Sequence, residues 1–252
     1  MNRSLSTYKQ SFADKNSIFR IDQKHAYRYE RKFKVPVSYH RSFIERAIKH
    51  NPFFFREIYN ERQVNNIYLD TEELHDYFEN VSGVANRKKI RIRWYGSTFG
   101  VIEHPVLEIK IKKGLVGDKW SYALPAFGLD DNFHHERIQQ LFKESDLPLP
   151  VLEKLKSMRP VLINSYRRKY FLSADKNFRI TLDTDLKYYP VNGGGFSRSM
   201  PYRDDNQIIE LKYALENEPV AGKVSAGFPF SLSKNSKYVN GINLTRHIND
   251  KY

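Results

Sequence analysis

The chain contains no cysteine, which excludes disulfides, thiolate metal sites and cysteine nucleophiles. No apolar run approaches the length of a membrane span, and the polar start from Met1 to Lys15 lacks the apolar centre of a signal peptide. A cytoplasmic chain is the expectation. No internal repeat, low-complexity tract or Pro-rich linker marks a boundary, so the expected organisation is a flexible arm over residues 1–24 and one domain over residues 25–252. The run Gly193–Gly195 lacks the Lys-Ser/Thr and following helix of a P-loop and reads as a flexible turn or hairpin tip.

Positive charge is in excess. Lys plus Arg number 42 against 29 Asp plus Glu, a formal net charge of +13 over 252 residues. Such an imbalance predicts an anionic partner: nucleic acid, an anionic membrane surface or a phosphate-rich small molecule. With 17 Tyr and 17 Phe the composition is that of a folded, strand-rich domain and excludes a disordered polycation.

The charge is patterned. Over Lys88–Tyr95 (KKIRIRWY) cations and apolar residues alternate, so on a strand Lys89, Arg91 and Arg93 share one face while Ile90, Ile92 and Trp94 share the other. Alone, this describes a strand with a solvated face. The pattern recurs from Tyr27, with Arg28, Glu30, Lys32 and Lys34 on one side, again with Glu108, Lys110 and Lys112, and again with Glu210 and Lys212.

Between the strands, helices are expected from Ser38 to about His50, after a capping box of Asp70 with Glu73, over residues 134–145, and over 151–158 ahead of Pro160. His134 and His135 beside Glu136 read as a solvated helix start. Strands are expected at 65–69, 161–172 and 178–182, the last running into a turn at Asp183–Asp185, where either carboxylate is a candidate metal ligand. Lys234 and Lys237 fall on one side of a C-terminal helix or capped turn.

This gives an α+β fold: a predominantly antiparallel, closed or nearly closed β-barrel of about eight strands with inserted helices. Cations gathered inside a barrel repel one another by roughly 1–4 kcal/mol per close pair unless an anion fills the space. Each Glu-x-Lys taken singly is a surface or cross-strand ion pair. Three of them on strands, beside Arg91 and Arg93, favour rows that face inward, with Glu30, Glu108 and Glu210 offsetting charge and able to hold a divalent metal together with phosphate oxygens.

The segments Tyr29–Phe33 (YERKF), Lys89–Gly96 (KIRIRWYG), Leu107–Lys110 (LEIK), Tyr166–Phe171 (YRRKYF), Arg179–Leu186 (RITLDTDL), Ile209–Lys212 (IELK) and Ser233–Tyr238 (SKNSKY) together resemble, in order and spacing, the VTC domain. That is the polyphosphate polymerase domain of the vacuolar transporter chaperone complex, within the triphosphate tunnel metalloenzymes. The resemblance implies a tunnel that binds ATP and polyphosphate and transfers the γ-phosphoryl group to the chain with Mn²⁺ or Mg²⁺. It implies phosphate contacts from Lys32, Arg91, Arg93, Lys110, Lys119, Arg168, Lys212, Lys234 and Lys237, with Arg91, Arg93, Lys110 and Lys237 catalytic. Lys234 and Lys237 would close one mouth, Glu210 would ligate the metal, and Glu30 is a weaker metal candidate.

In the related CYTH triphosphatases the opening motif is Glu-x-Glu-x-Lys, and here Arg28 stands in place of the first Glu. Fewer acids and more bases favour holding a long polyanion over a hydrolytic two-metal site. The alternatives are a triphosphate or polyphosphate hydrolase of the same superfamily, and a polyphosphate-binding module without chemistry. The sequence carries neither the SPX domain nor the membrane helices of eukaryotic relatives, so inositol-phosphate control and coupled export are not carried over, and a separate membrane partner stays open. Nucleic acid is not the expected substrate, because the bases alternate with aliphatic rather than aromatic residues on one face.

Overall fold

Alternation of charged and branched residues dictates strands with two unlike faces, and these join edge to edge into a ring. The computed structural model describes residues 28–114, 116–131, 133–192, 195–196 and 200–247. The arm expected over residues 1–24 lies outside them. The strands are β1 (Arg28–Val35), β2 (Arg56–Asp70), β3 (Asn86–Tyr95), β4 (Gly100–Ile102), β5 (Val106–Lys113), β6 (Val116–Ala123), β7 (Phe127–Leu129), β8 (Arg159–Leu172), β9 (Phe178–Asn192), β10 (Gly195–Phe196), β11 (Tyr202–Asp204) and β12 (Gln207–Ala214). The α-helices are α1 (Arg41–Lys49), α2 (His75–Val81), α3 (His135–Lys143), α4 (Leu149–Leu155), α5 (Glu218–Ala226) and α6 (Lys237–Arg246). None of them is long and apolar enough to cross a membrane.

Eight strands pair antiparallel in the order β9-β12-β1-β6-β5-β3-β2-β8, and β8 returns to β9. The expected α+β class with about eight antiparallel strands is therefore the observed one. The seam between β1 and β6 is narrow, a single pair at Arg28 and Gly117. Beyond it the free edge of β1 is covered by the segment after α5: Leu232 bridges Phe33, Ser233 N donates to Lys32 O at 2.8 Å, and Lys34 N donates to Ser233 Oγ at 2.8 Å.

The apolar faces of the strands point outward and carry the helices. Ile67, Ile90, Ile92, Trp94, Leu107 and Ile163 pack with α3 and α4 through Ile138, Leu141, Phe142, Val151 and Leu155. Phe33, Val35, Ile180, Leu182, Ile209 and Leu211 pack with α1 and α5 through Ile44, Ile48, Ala221 and Val224. A third cluster lies inside the ring. There Tyr238 of α6 stacks on Tyr68 at 5.0 Å, and a Cβ at Gly241 would meet Leu162 and Tyr188 at 2.4 and 2.6 Å. Only glycine lets α6 lie this close to β8 and β9.

Three local expectations are corrected. Asp70 and Glu73 form no capping box. The Asp70 carboxylate instead accepts from Thr71 N at 2.7 Å and from Asp76 N and Tyr77 N, both at 2.9 Å, as well as from Tyr238 OH, so it caps α2 and ties it to α6. Asp183 is not at a strand-end turn. β9 continues to Asn192 through an irregularity between Ser165 and Arg167 on β8, where Asp185 takes φ +53°. Pro160 does not end α4, which stops at Leu155; it lies in β8, paired with Leu69.

Candidate functional site

Residues paired directly across strands point to the same side of a sheet. The pairs Tyr68 with Arg91, Lys89 with Lys110, Arg91 with Glu108, and Lys32 with Glu210 carry one continuous face around the ring. That face turns inward on a cavity of about 490 Å³. Into it project Arg91 and Arg93 from β3, Lys110 from β5, Lys32 from β1, Lys212 from β12 and Arg168 from β8, with Lys234 from the segment that covers the edge of β1 and Lys237 from the start of α6. Twelve Lys and Arg line it against two carboxylates, Glu30 and Glu210.

Behind this lining the carboxylates hold the cations in place. Glu108, 4% exposed, accepts from Arg91 Nε at 2.8 Å and Nη2 at 2.6 Å and from Lys119 Nζ at 2.7 Å, with Arg93 Nη1 at 3.6 Å. Asp183, fully buried, accepts from Arg168 Nε at 2.5 Å and Nη2 at 2.7 Å and from Lys237 Nζ at 2.5 Å. Lys110 Nζ donates to both oxygens of Glu30, at 2.7 and 2.9 Å. Glu210 differs. Its neighbours Lys212, Arg168 and Lys32 stand at 3.4, 3.8 and 4.0 Å, too far to fill its lone pairs.

The electrostatics follow from crowding. Burial raises the Glu210 carboxyl, but Lys212, Lys32, Lys110 and Arg168 reverse this and hold it well below the usual carboxylate range. Burial lowers Lys110, Glu30 raises it and Lys32 lowers it again, leaving it at about 8. Lys89 falls well below an ordinary lysine through burial and then through Lys32, Lys110, Arg87 and Arg91. Burial raises the Tyr166 phenol, and Arg168 and Arg93 bring it down to about 8. The cavity is short of anions, and an anion that enters favours the protonated form of both lysines.

Of the residues picked out from the sequence, Lys32, Arg91, Arg93, Lys110, Arg168, Lys212, Lys234, Lys237, Glu30 and Glu210 all line this cavity. Lys119 does not; its side chain, 48% exposed, turns back onto Glu108. Lys237 is not at a mouth. It reaches Asp183 inside the ring and lies 4.7 Å from the centroid of the Tyr166 ring.

One contributor carried no assignment from the sequence: Tyr166 carries Lys237 on its ring and Arg168 at 5.1 Å, and its alternation with Arg168 was the available signal. Asp183, a candidate metal ligand in the sequence, instead braces both cations; Asp-Thr-Asp resembles a turn and masked that role.

A divalent ion would need a carboxylate with free lone pairs facing the phosphates. Glu210 fits, having no close hydrogen-bond donor, whereas Glu30 is already occupied by Lys110 and Glu108 by Arg91 and Lys119. Another group, His75, Asp76 and Glu79, has donor atoms within 4.8 Å of one another, but none of the three lines the cavity.

The VTC domain family model matches residues 27–246. No curated protein sequence matches the chain. Among solved structures, a Vibrio parahaemolyticus protein described as a candidate adenylate cyclase is similar with a TM-score of 0.48 and 12% identity, over 85% of this chain and 98% of its own. A protein from Pyrococcus horikoshii OT3 is similar with a TM-score of 0.45 and 13% identity, over 87% of this chain and 99% of its own.

Proposed function

The chain belongs to the VTC domain family, and from that premise we propose that it is a metal-dependent phosphotransferase that moves the γ-phosphoryl group of ATP onto a polyphosphate chain held inside the ring. The observation that carries this reading is the convergence of Lys32, Arg91, Arg93, Lys110, Arg168 and Lys212 from five strands on one cavity. Phosphoryl transfer asks a protein for position and charge rather than covalent chemistry. Arg91, Arg93 and Arg168, fixed by Glu108 and Asp183, offer rigid forked contacts to phosphate oxygens. Lys32, Lys110 and Lys212 offer less directional charge, suited to a chain that must advance.

In this reading Arg91, Arg93, Lys110 and Lys237 surround the transferred group and stabilise the charge that spreads over its oxygens. Glu210 would hold Mn²⁺ or Mg²⁺ jointly with the phosphates, and the ion would supply further charge neutralisation there. The acids argue against a two-metal hydrolytic site: of the four inside the ring, Glu30, Glu108 and Asp183 are already hydrogen-bonded to cations.

The test is to incubate the purified protein with ATP and Mn²⁺ and resolve the products on a gel. A ladder of polyphosphate is expected. Free phosphate or pyrophosphate without polymer would overturn polymerisation in favour of hydrolysis. Tripolyphosphate binding that survives both EDTA and Glu210→Ala, with no turnover, would leave a binding module.

A further inference from the structure

One cluster on the inner face has no use for a phosphate chain. On β2, Arg62 pairs with Arg168, Val64 pairs with both Tyr95 and Tyr166, and Tyr59 pairs with Tyr170. Arg168 and Tyr166 face the cavity, so Arg62, Tyr95, Tyr170 and Tyr59 continue that face one row further along the ring. The Arg62 guanidinium carbon lies 4.9, 5.6 and 5.8 Å from the ring centroids of Tyr59, Tyr95 and Tyr170. Tyr59 and Tyr170 meet edge to face at 5.7 Å. Among the described residues Arg62 has no carboxylate partner, only these rings.

The rings are available. Tyr59 is 52% exposed and Tyr95 is 53% exposed; they stand at the rim of the ring, where β2 runs on past its last pairing with β3 at Val64 and Tyr95. The face of an aromatic ring is electronegative and repels an anion, so this row disfavours phosphate. A flat, neutral, polarisable group stacks on tyrosine and on a guanidinium plane alike. The cluster also directly adjoins phosphate-facing cations, with Tyr95 two residues beyond Arg93 and Arg62 opposite Arg168. A ligand with phosphates at one end and a planar ring at the other spans both rows.

We propose that Tyr59, Arg62, Tyr95 and Tyr170 form a stacking site for the base of a nucleoside triphosphate whose phosphates lie against Arg93 and Arg168. The inference rests on the reading of the cavity as a triphosphate site, and it assigns the selection of a nucleotide over a bare phosphate chain to residues outside that cavity. Stacking is tolerant of base identity and favours purines for their larger ring area.

The test is calorimetric titration of the full chain, with Mg²⁺ present, by ATP and by inorganic tripolyphosphate. Tyr95→Ala is expected to weaken ATP binding by about tenfold, in the range of one base stacked on one ring, and to leave tripolyphosphate within about twofold of wild type. Tyr95→Phe keeps the ring but loses the hydroxyl contact with Tyr170 and should restore ATP affinity. Tyr59→Ala, on the other exposed ring, should repeat the Tyr95→Ala pattern. Equal weakening of both ligands, or no change in either, overturns the stacking site alone. Wild-type protein that binds neither ligand overturns the stacking site together with the proposed function.

Discussion

Replacing Asp183 by Asn removes the charge that binds Arg168 and Lys237 while keeping the volume of the side chain. The side chains of Asp183, Arg168 and Lys237 are 0, 8 and 11% exposed, so water in the cavity replaces only part of the lost carboxylate's charge. Breaking a buried ion pair from one side is worth about 3–5 kcal/mol. Glu210, 3.8 Å from Arg168, supplies part of the missing charge, so the low end, about 3 kcal/mol, applies. For a domain of this size that is a fall in Tm of about 6–12 °C. The assay is thermal unfolding of wild type and Asp183→Asn with and without tripolyphosphate. At a ligand concentration 100 times Kd, wild type gains about 2.7 kcal/mol. The variant should gain more, because the bound anion replaces the counter-charge, and the two Tm values should converge. A variant that melts within about 2 °C of wild type, or one that gains no more than wild type from the ligand, would refute the reasoning.

Arg93→Ala should weaken tripolyphosphate binding by about ten- to a hundredfold, the worth of one charge-assisted contact, and lower Tm only modestly: Asn66 Oδ1 loses its bond from Arg93 Nε, but Glu108 keeps Arg91 and Lys119; a collapse in Tm would instead make Arg93 a structural partner. Lys110, lowered to about 8, gives up its proton as pH rises through that value, so triphosphate affinity should fall between pH 7.5 and 9 and the fall should flatten in Lys110→Gln. Asp76 is buried with both carboxylate oxygens unpartnered, and its pKa is raised to about 6 by burial and by Asp70. Its neutral form suits the fold, so stability is lost as pH rises from the ordinary carboxylate value through 6, and the full penalty is present at pH 7. Asp76→Asn should therefore stabilise the protein at pH 7 by about 1–3 kcal/mol, with the gain gone near pH 4 in denaturant titrations.

What was legible in the sequence was the part written in period two. The alternation of Lys89 to Trp94 assigns each residue a face, and recurrence around Lys32, Lys110 and Lys212 implies that the charged faces share a space. What was hidden depends on pairing between distant strands. Glu108 shares a row with Lys110 and so looked like a free carboxylate, yet the register sets it against Arg91, with Lys119 also in reach. Arg56–Gln63 extends β2 well beyond the apolar stretch Asn65–Leu69 because its partner on β8 is long, and polar residues that pair across a ring leave no periodic apolar signal. Helix α5, with Gly222 at its centre and a Pro near its start, offers weak local propensity and is held by Ala221 and Val224 against the outer face of the sheet.

The central claim is that a phosphate chain lies inside the ring among side chains from many strands. The most direct measurement is a crystal structure of the protein soaked with tripolyphosphate. Phosphate density is expected within hydrogen-bond distance of Arg91, Arg93 and Lys110, with Glu210 facing it across the cavity. Phosphate bound only to lysines on the outer surface, with the cavity filled by water, would contradict the claim.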